Sequence, residues 1–300
     1  MTRIASRVVG VDIGGSKTHA VAAGAAGGTS KEMLAGSANL ASVGTVEAGH
    51  QLDVVFDGLG RDGVAAVCVG AAGVDSAALE RRLFDLVQER LPGAVVRIVH
   101  DTRLILAAAG VDTGIALIAG TGSVAWGRTA ADRTARAGGW GYLLGDEGSG
   151  FWVGLQAVRH ALALLDAGEQ PDRLSRRIVA DCGVRDPGQL IDHFYANPER
   201  RYWAGHSGLV FDLAVAGDAP AIAIVERAAT ALATVVGVVG DRLDLRTPVV
   251  LGGGLLVNQP LLRERVTEQL DTAGYSDIRT LSQDPVFGAL ALAREMVASS

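Results

Sequence analysis

A glycine-rich run with an acidic pair is the stretch of this chain best suited to hold a ligand. It spans residues 138–149 and reads GGWGYLLGDEGS. Glycine accumulates where the backbone takes positive φ or lets another group approach closely. Carboxylate acceptors beside a flat aromatic wall suit a small polar ring such as a sugar, although an irregular crossover between elements is the alternative. The substrate-binding candidates are Gly139, Trp140, Gly141, Asp146 and Glu147.

A second candidate site lies where an acid precedes a glycine turn. Asp12 stands near the end of a strand pattern, and Gly14, Gly15, Ser16, Lys17 and Thr18 follow it. Backbone N–H groups in such turns bind anions, and a nearby acid binds Mg²⁺ through water. The Walker spacing is absent, and an ordinary hairpin turn is the competing interpretation. The pattern nevertheless makes the turn a candidate for nucleotide phosphates and Asp12 a candidate for Mg²⁺.

The same strand–turn–strand unit recurs at residues 114–126, where Gly120, Thr121, Gly122 and Ser123 form the turn. A dinucleotide fingerprint does not fit, because a strand and not a helix follows these glycines. Two such hairpins facing each other across a cleft would grip one polyphosphate from both sides. The repeat indicates an internal duplication.

A third glycine cluster, Gly252, Gly253 and Gly254, follows a short strand pattern. Glycines leave room there for a flat adenine ring, and an extended turn is an equal alternative. We treat the three residues as nucleotide-binding candidates.

Asp101 follows the strand pattern at residues 95–100 and precedes a helical pattern. A carboxylate at the carboxyl end of a parallel strand is well placed as a general base in the crevice of an α/β protein. The alternative is a helix N-cap, a position that aspartate fills well. The neighbouring His100 is interpreted as a structural histidine.

The elements that must position these residues alternate between strands and helices. Strands are predicted at 7–13, 18–23, 64–71, 95–100, 114–119, 124–126 and 248–251. Helices are predicted at 43–59, 76–91, 104–109, 154–167, 220–243, 259–273 and 285–298, with a mostly helical insertion at 171–216. This order predicts an α/β protein of two similar domains, with the ligand crevice between them.

Composition limits the classes of function. The chain has 300 residues, a formal net charge of −6 and two cysteines, Cys68 and Cys182, without metal-ligand spacing. An acidic balance argues against nucleic acid as a partner. The sequence pattern predicts no signal peptide, no membrane span and a cytoplasmic location.

In this order, the motifs resemble the N-acetylglucosamine kinase branch of the sugar kinase, Hsp70 and actin superfamily, which is related to benzoyl-CoA reductase activators. The resemblance rests on residues 12–16, 119–123 and 138–149 and extends over nearly the whole chain. It implies two ribonuclease H-like (actin-like ATPase) domains with a central cleft and a helical insertion in the second. The expected domains are 1–110, completed by the helix at 285–300, and 111–284, which would carry dimerisation and adenosine-binding elements.

The same resemblance implies roles for single residues and for ligands. Asp101 falls where the family keeps its catalytic base, Asn39 where it keeps a sugar-hydroxyl ligand, and Asp146 on the sugar. The two hairpins would hold the phosphates of ATP, the Gly252 loop its adenosine, and Mg²⁺ would bridge the phosphates. Members are typically homodimers that close on ATP and sugar.

Two departures from the family bear on the sugar. Val124 stands where the family often has asparagine, and Ala41 stands where mammalian members place a tryptophan near the acetamide. The sequence therefore favours glucosamine, whose ammonium would meet Asp146 or Glu147, with phosphorylation at O6. N-acetylglucosamine or another hexose is the alternative, and a sugar-sensing regulator or a reductase-activating ATPase is more distant.

Overall fold

The structure is a computed structural model that describes residues 6–28, 30–71, 74 and 76–298. Its contacts divide the chain into two compact units, Met1–Asp112 with Leu281–Ser300, and Thr113–Thr280. The boundaries therefore lie at residues 112/113 and 280/281, whereas the sequence analysis placed them at 110/111 and 284/285. The opening residues 1–5, on which the signal-peptide prediction rests, lie outside the described residues.

The first unit is a five-stranded sheet with helices on both faces. Its strands are β1 (Arg7–Ile13), β2 (Thr18–Gly24), β3 (Lys31–Ala35), β4 (Val64–Ala71) and β5 (Val95–His100), and its helices are α1 (Leu40–Leu59), α2 (Ala77–Arg90), α3 (Asp101–Ala108) and, from the end of the chain, α12 (Pro285–Ala298). The strand order is β3-β2-β1-β4-β5, with β1, β4 and β5 parallel and β2 and β3 antiparallel to their neighbours.

Strands β1 and β4 are almost wholly apolar because both of their faces are covered. One face packs with α1 and α2 around Leu52, Phe56 and Leu83. On the other face α12 lies so close to β1 that a Cβ at Gly10 would stand 2.4 Å from the Leu290 backbone nitrogen. A glycine is therefore required at position 10, and its smallness brings the last helix of the chain onto the first strand.

The second unit repeats this topology. Its strands are β6 (Gly114–Ala119), β7 (Ser123–Arg128), β8 (Thr134–Gly138), β9 (Val249–Gly252) and β10 (Ile278–Thr280), and its helices are α4 (Gly150–Asp166), α5 (Arg173–Asp181), α6 (Leu190–Ala196), α7 (Arg200–Gly205), α8 (Ser207–Val215), α9 (Ala219–Leu243), α10 (Gly254–Asn258) and α11 (Pro260–Thr272). The order β10-β9-β6-β7-β8 matches that of the first sheet strand for strand. The predicted actin-like α/β fold with a helical insertion is confirmed.

Several local expectations need correction. Strands β3, β8 and β10 were not predicted, because they are short edge strands with exposed or mixed positions. Helix α3 begins at Asp101 rather than at residue 104, and the predicted glycine turn at 252–254 contains the end of β9 and the start of α10.

Helix α9 corrects the expectation that no segment is suited to span a membrane. By length and composition alone, this helix is long and apolar enough to do so. A core helix passes the same test, and its buried residues, which include Ile224, Leu232 and Val239, pack in the core of the second unit.

Candidate functional site

The glycine turn of the first unit leaves its tip exposed and its base tied down. The Gly14 N–H donates to the Lys17 carbonyl at 2.9 Å, and the residues from Gly15 to Lys17 are exposed. Thr18 is fully buried, and its hydroxyl accepts a hydrogen bond from the Ala38 N–H at 2.9 Å. The structure thus leaves the tip accessible to an anion and uses the Thr18 side chain to hold the neighbouring segment.

That segment carries the sugar candidate Asn39. Ser37 Oγ donates to the Gly14 carbonyl at 2.8 Å and accepts from the Asn39 N–H at 3.1 Å. Asn39 is buried and is the N-cap of α1, where its Oδ1 accepts the Ala41 N–H at 3.0 Å. Asn39 is therefore held next to the hairpin by Ser37, a residue that the sequence analysis did not single out.

Asp101 is the first residue of α3, and His100, not Asp101, is the N-cap. Asp101 Oδ1 accepts the Thr102 N–H at 2.8 Å and lies 2.8 Å from His100 Nδ1. The side chains of both His100 and Asp101 are about a fifth exposed. The N-cap interpretation of Asp101 is wrong, and the carboxylate lies at the carboxyl end of β5.

Two other carboxylates, Asp101 and Asp284, lie close enough to Asp12 to raise its pKa. Burial, together with repulsion by Asp101 and Asp284, raises the pKa of Asp12 to about 7, and Lys17 opposes this shift. An ionised Asp12 is thus costly until a cation compensates its charge. Sequence reasoning missed Asp284, whose only signal is an acid directly before the proline that begins α12.

The residues around Asp12 suit a Mg²⁺ ion that is bound mainly through water and nucleotide phosphates. Among the described residues, no three or more His, Cys, Asp or Glu side chains form a group that could hold a metal. Mg²⁺ bound with a nucleotide commonly keeps several waters and takes only one or two protein carboxylates besides the phosphates. A half-buried carboxylate with a raised pKa, such as Asp12, suits that mode.

The hairpin of the second unit lies against the third glycine cluster. The Gly120 N–H donates to the Gly122 carbonyl at 2.9 Å, and Thr121 is exposed. Gly253 has φ of 87°, and a Cβ there would stand 2.4 Å from the Ala119 carbonyl oxygen. The structure therefore brings Gly252–Gly254 to the base of the hairpin, and only glycine allows the approach.

The glycine-rich loop between β8 and α4 meets the same hairpin. Asp146 is only 4% exposed, and its carboxylate packs on the hairpin, because a Cβ at Gly122 would stand 2.7 Å from Asp146 Oδ2. Burial is the main reason that the pKa of Asp146 is raised. Glu147 is exposed, and Trp140 is 67% exposed with the Arg136 guanidinium 5.1 Å from its ring centre. The loop thus turns one acid inward and presents the other acid and a ring outward.

The predicted site residues therefore form two groups. In the first unit Asp12, Asp101, the turn 14–18 and Asn39 lie in or next to the elements of one sheet and its helices. In the second unit the turn 121–123, the loop 139–147 and the turn 252–254 adjoin one another. Two sheets of one topology, each opening on a glycine hairpin, define an actin-like ATPase. The chain belongs to the BadF/BadG/BcrA/BcrD ATPase family, whose model matches residues 9–293.

Relatives that match over nearly their full length indicate which kind of ATPase this chain resembles. An N-acetylmuramic acid/N-acetylglucosamine kinase of Clostridium acetobutylicum is 29% identical over 301 residues, covering 96% of this chain and 98% of that protein. An N-acetyl-D-glucosamine kinase of Dictyostelium discoideum is 26% identical over 309 residues, covering 95% and 97%. A crystal structure from Porphyromonas gingivalis, of a protein assigned as an N-acetylglucosamine kinase, superposes with a TM-score of 0.75 at 22% identity, covering 97% and 99%.

Proposed function

We propose that this protein transfers the γ-phosphoryl group of ATP to the 6-hydroxyl of N-acetylglucosamine. The class, an ATP-dependent sugar kinase, follows from the family and from relatives that match end to end, and it confirms the class predicted from the sequence. The single observation that carries the choice of sugar is that both curated relatives act on N-acetylated amino sugars by name.

The environment of Asp146 supports the acetylated sugar over glucosamine. The sequence prediction of glucosamine relied on Asp146 or Glu147 meeting an ammonium group. Asp146 is only 4% exposed, so little of its carboxylate is accessible to an ammonium group. Of these two acids, only Glu147 is exposed. An ammonium group would therefore meet one accessible carboxylate and not two, and glucosamine becomes the second candidate.

The proposed chemistry assigns one role to each acid of the first unit. Asp101 accepts the proton of the sugar hydroxyl while that oxygen forms a bond to the γ-phosphorus and the bond from phosphorus to the ADP oxygen breaks. Asp12 would hold Mg²⁺ through water, and this ion supplies neutralisation of the phosphate charge when it is bound with ATP. Asn39 and residues 139–141 would bind sugar hydroxyls.

The remaining assignments complete the proposal. The exposed residues Gly15–Lys17 and Thr121, with the adjoining Gly122, would offer backbone N–H groups to the phosphates, and residues 252–254 would take the adenosine. A cytoplasmic location and a homodimer go with this function as predictions from the sequence.

A substrate panel tests the proposal. We would measure kcat/KM by coupled ADP release for N-acetylglucosamine, N-acetylmuramic acid, glucosamine and glucose under identical ATP and Mg²⁺. We expect kcat/KM for N-acetylglucosamine to exceed kcat/KM for glucosamine by roughly tenfold or more, because loss of a polar contact gives at least that discrimination. A preference for glucosamine would overturn the choice of sugar, and the absence of sugar-dependent ADP release across the panel would overturn the kinase assignment.

A further inference from the structure

Three consecutive residues at the junction of β5 and α3, His100, Asp101 and Thr102, lie in contact through their polar groups. Asp101 Oδ1 accepts the Thr102 N–H at 2.8 Å. His100 Nδ1 is hydrogen-bonded to the Thr102 hydroxyl at 2.8 Å and lies 2.8 Å from Asp101 Oδ1. Both of these contacts of the carboxylate go to Oδ1, and neither goes to Oδ2.

The distances indicate which form of the His100 ring faces these groups. At 2.8 Å, an Nδ1 without a proton would set its lone pair against the carboxylate oxygen, whereas an N–H there is attracted by that oxygen and donates to the Thr102 hydroxyl. The Thr102 N–H lies 3.4 Å from Nδ1 but 2.8 Å from Oδ1, so the carboxylate is its main acceptor. We infer that Nδ1 carries the proton, and Oδ1 then has an N–H group from each of its two neighbours beside it.

Thr102 anchors this arrangement to the interior of the first unit. It is fully buried in the first turn of α3, whereas the side chains of His100 and Asp101 are about a fifth exposed. The His100 ring is thus bonded to a residue that cannot move freely, and its contact with Oδ1 restrains the carboxylate of Asp101.

We propose that His100 is a positioning residue for the general base, because its ring and the Thr102 N–H hold Oδ1 and leave Oδ2 to accept the proton of the substrate hydroxyl. This inference rests on the proposed function, in which Asp101 is the base. A misplacement of about 1 Å in a reacting group can cost roughly 100-fold in rate, so a fixed carboxylate is worth a large factor. The rival role of His100 is the N-cap of α3 alone, in which Nδ1 accepts the Thr102 N–H through the longer contact of 3.4 Å.

Steady-state kinetics of two substitutions at His100 separate these roles. His100→Ser keeps a residue that caps helices well but removes the ring. We expect kcat with saturating ATP, Mg²⁺ and N-acetylglucosamine to fall by about 10- to 100-fold, the cost of a misplaced group. Both KM values should stay near those of the wild type, because the lost interaction acts on the chemical step. His100→Asn also keeps the cap and can place an amide N–H near the position of Nδ1, so it should recover most of the lost kcat.

A double-mutant cycle shows whether His100 acts through Asp101. In the Asp101→Asn background, His100→Ser should change the residual kcat by less than about twofold, because residues that act as a unit are not additive. Thr102→Val removes the hydroxyl anchor and keeps the N–H, and we expect it to lower kcat by less than His100→Ser does. This variant keeps the proposal falsifiable if His100→Ser does not fold.

The matched control is His160→Ser. His160 Nε2 lies 2.7 Å from Asp172 Oδ2 with 26% of the His160 side chain exposed, so it is a second pair of histidine and carboxylate with similar exposure. We expect this variant to keep the wild-type kcat.

The possible outcomes distinguish the inference from the function on which it rests. A wild-type kcat in His100→Ser or in Thr102→Val, equal losses in His100→Ser and His100→Asn, or a loss of full size in the Asp101→Asn background would each overturn the positioning role. No sugar-dependent ADP release by the wild-type protein would instead overturn the proposed function, and an Asp101→Asn variant with more than about a tenth of wild-type kcat would overturn its choice of base.

Discussion

The two glycine hairpins share a topology but are tied to their neighbouring segments by different chemistry. In the first unit two hydroxyls make the connection, from Ser37 to the Gly14 carbonyl and from the Ala38 N–H to Thr18. In the second unit backbone bonds make most of the connection, from the Gly139 N–H to the Ser123 carbonyl and from the Gly150 N–H to the Gly120 carbonyl, and the buried Asp146 packs beside them against Gly122.

The acids beside the two hairpins, Asp12 and Asp146, also differ in the groups that surround them. Asp12 lies beside the first hairpin, and burial together with repulsion by Asp101 and Asp284 raises its pKa to about 7. Asp146 lies beside the second hairpin, where burial is the main cause that raises its pKa, and the Ser123 backbone and the Arg200 guanidinium oppose this shift. Both acids thus have a raised pKa, but charged neighbours chiefly add to the shift at Asp12 and chiefly oppose it at Asp146.

The largest effect that would test this division is loss of the proposed base in the first unit. Asp101→Asn should lower kcat by about 10²- to 10⁴-fold, because general-base catalysis is worth that much. Asp85→Asn, on the exposed face of α2, is the matched control and should retain normal kcat. Steady-state kinetics with circular dichroism would check both variants, and an Asp101→Asn variant with more than about a tenth of wild-type kcat would remove the base from the mechanism.

The next largest effect is the loss of folding stability that ionisation of Asp12 causes. The folded pKa of about 7 lies above the ordinary value of 3.8, so ionisation of Asp12 destabilises the fold. This cost is absent below the ordinary pKa, grows as pH rises and levels off above the folded pKa. Asp12→Asn should therefore be more stable than wild type by up to about 4 kcal/mol near pH 8, because each pH unit between the two pKa values corresponds to about 1.4 kcal/mol.

Thermal unfolding of wild type and Asp12→Asn from about pH 5 to 8 would measure this gap. The gap should narrow as the pH falls. A variant that is no more stable than wild type at the upper end of this pH range would show that neighbouring groups already compensate the charge of Asp12.

A smaller effect compares the turns directly. Gly15 and Gly122 both have φ outside the left-handed region, but a Cβ at Gly15 meets open space while one at Gly122 meets Asp146 Oδ2. Gly122→Ala should cost about 1–3 kcal/mol of stability through overpacking. Gly15→Ala should stay within about 0.5 kcal/mol, as surface changes usually do. Similar melting temperatures for the two variants would mean that Asp146 yields easily and does not hold the turn.

The smallest effect concerns the hydroxyl connection of the first unit. Ser37→Ala removes the bond to the Gly14 carbonyl and should cost about 0.5–1.5 kcal/mol, the net worth of one hydrogen bond. Ser42→Ala, at an exposed position early in α1, is the control and should melt with the wild type. If the cost of Ser37→Ala matched that of Gly122→Ala, the contrast between the two connections would disappear.

Much of the fold was predictable because its signals are local. The paired strands on each side of both glycine turns, the apolar runs of β4 and β6, and most of the helices stand in the sequence as short patterns. Strand β3 was missed because its register comes from pairing with β2, and its own residues, such as Lys31 and Glu32, resemble a polar loop.

The candidate site shows the same division between what local sequence signals predict and what depends on tertiary contacts. The sequence by itself determined which residues are candidates for the chemistry: the acids Asp12 and Asp101 beside strand ends, and glycines where the backbone must approach closely. Only the tertiary structure decided how each acid is used, because that depends on groups distant in sequence. Asp284 comes beside Asp12 through the return of α12 to the first sheet, and Ser123 comes beside Asp146 through the packing of a loop on a turn. Burial, charge and available N–H donors are properties of such neighbourhoods, and they exist only once the chain has folded.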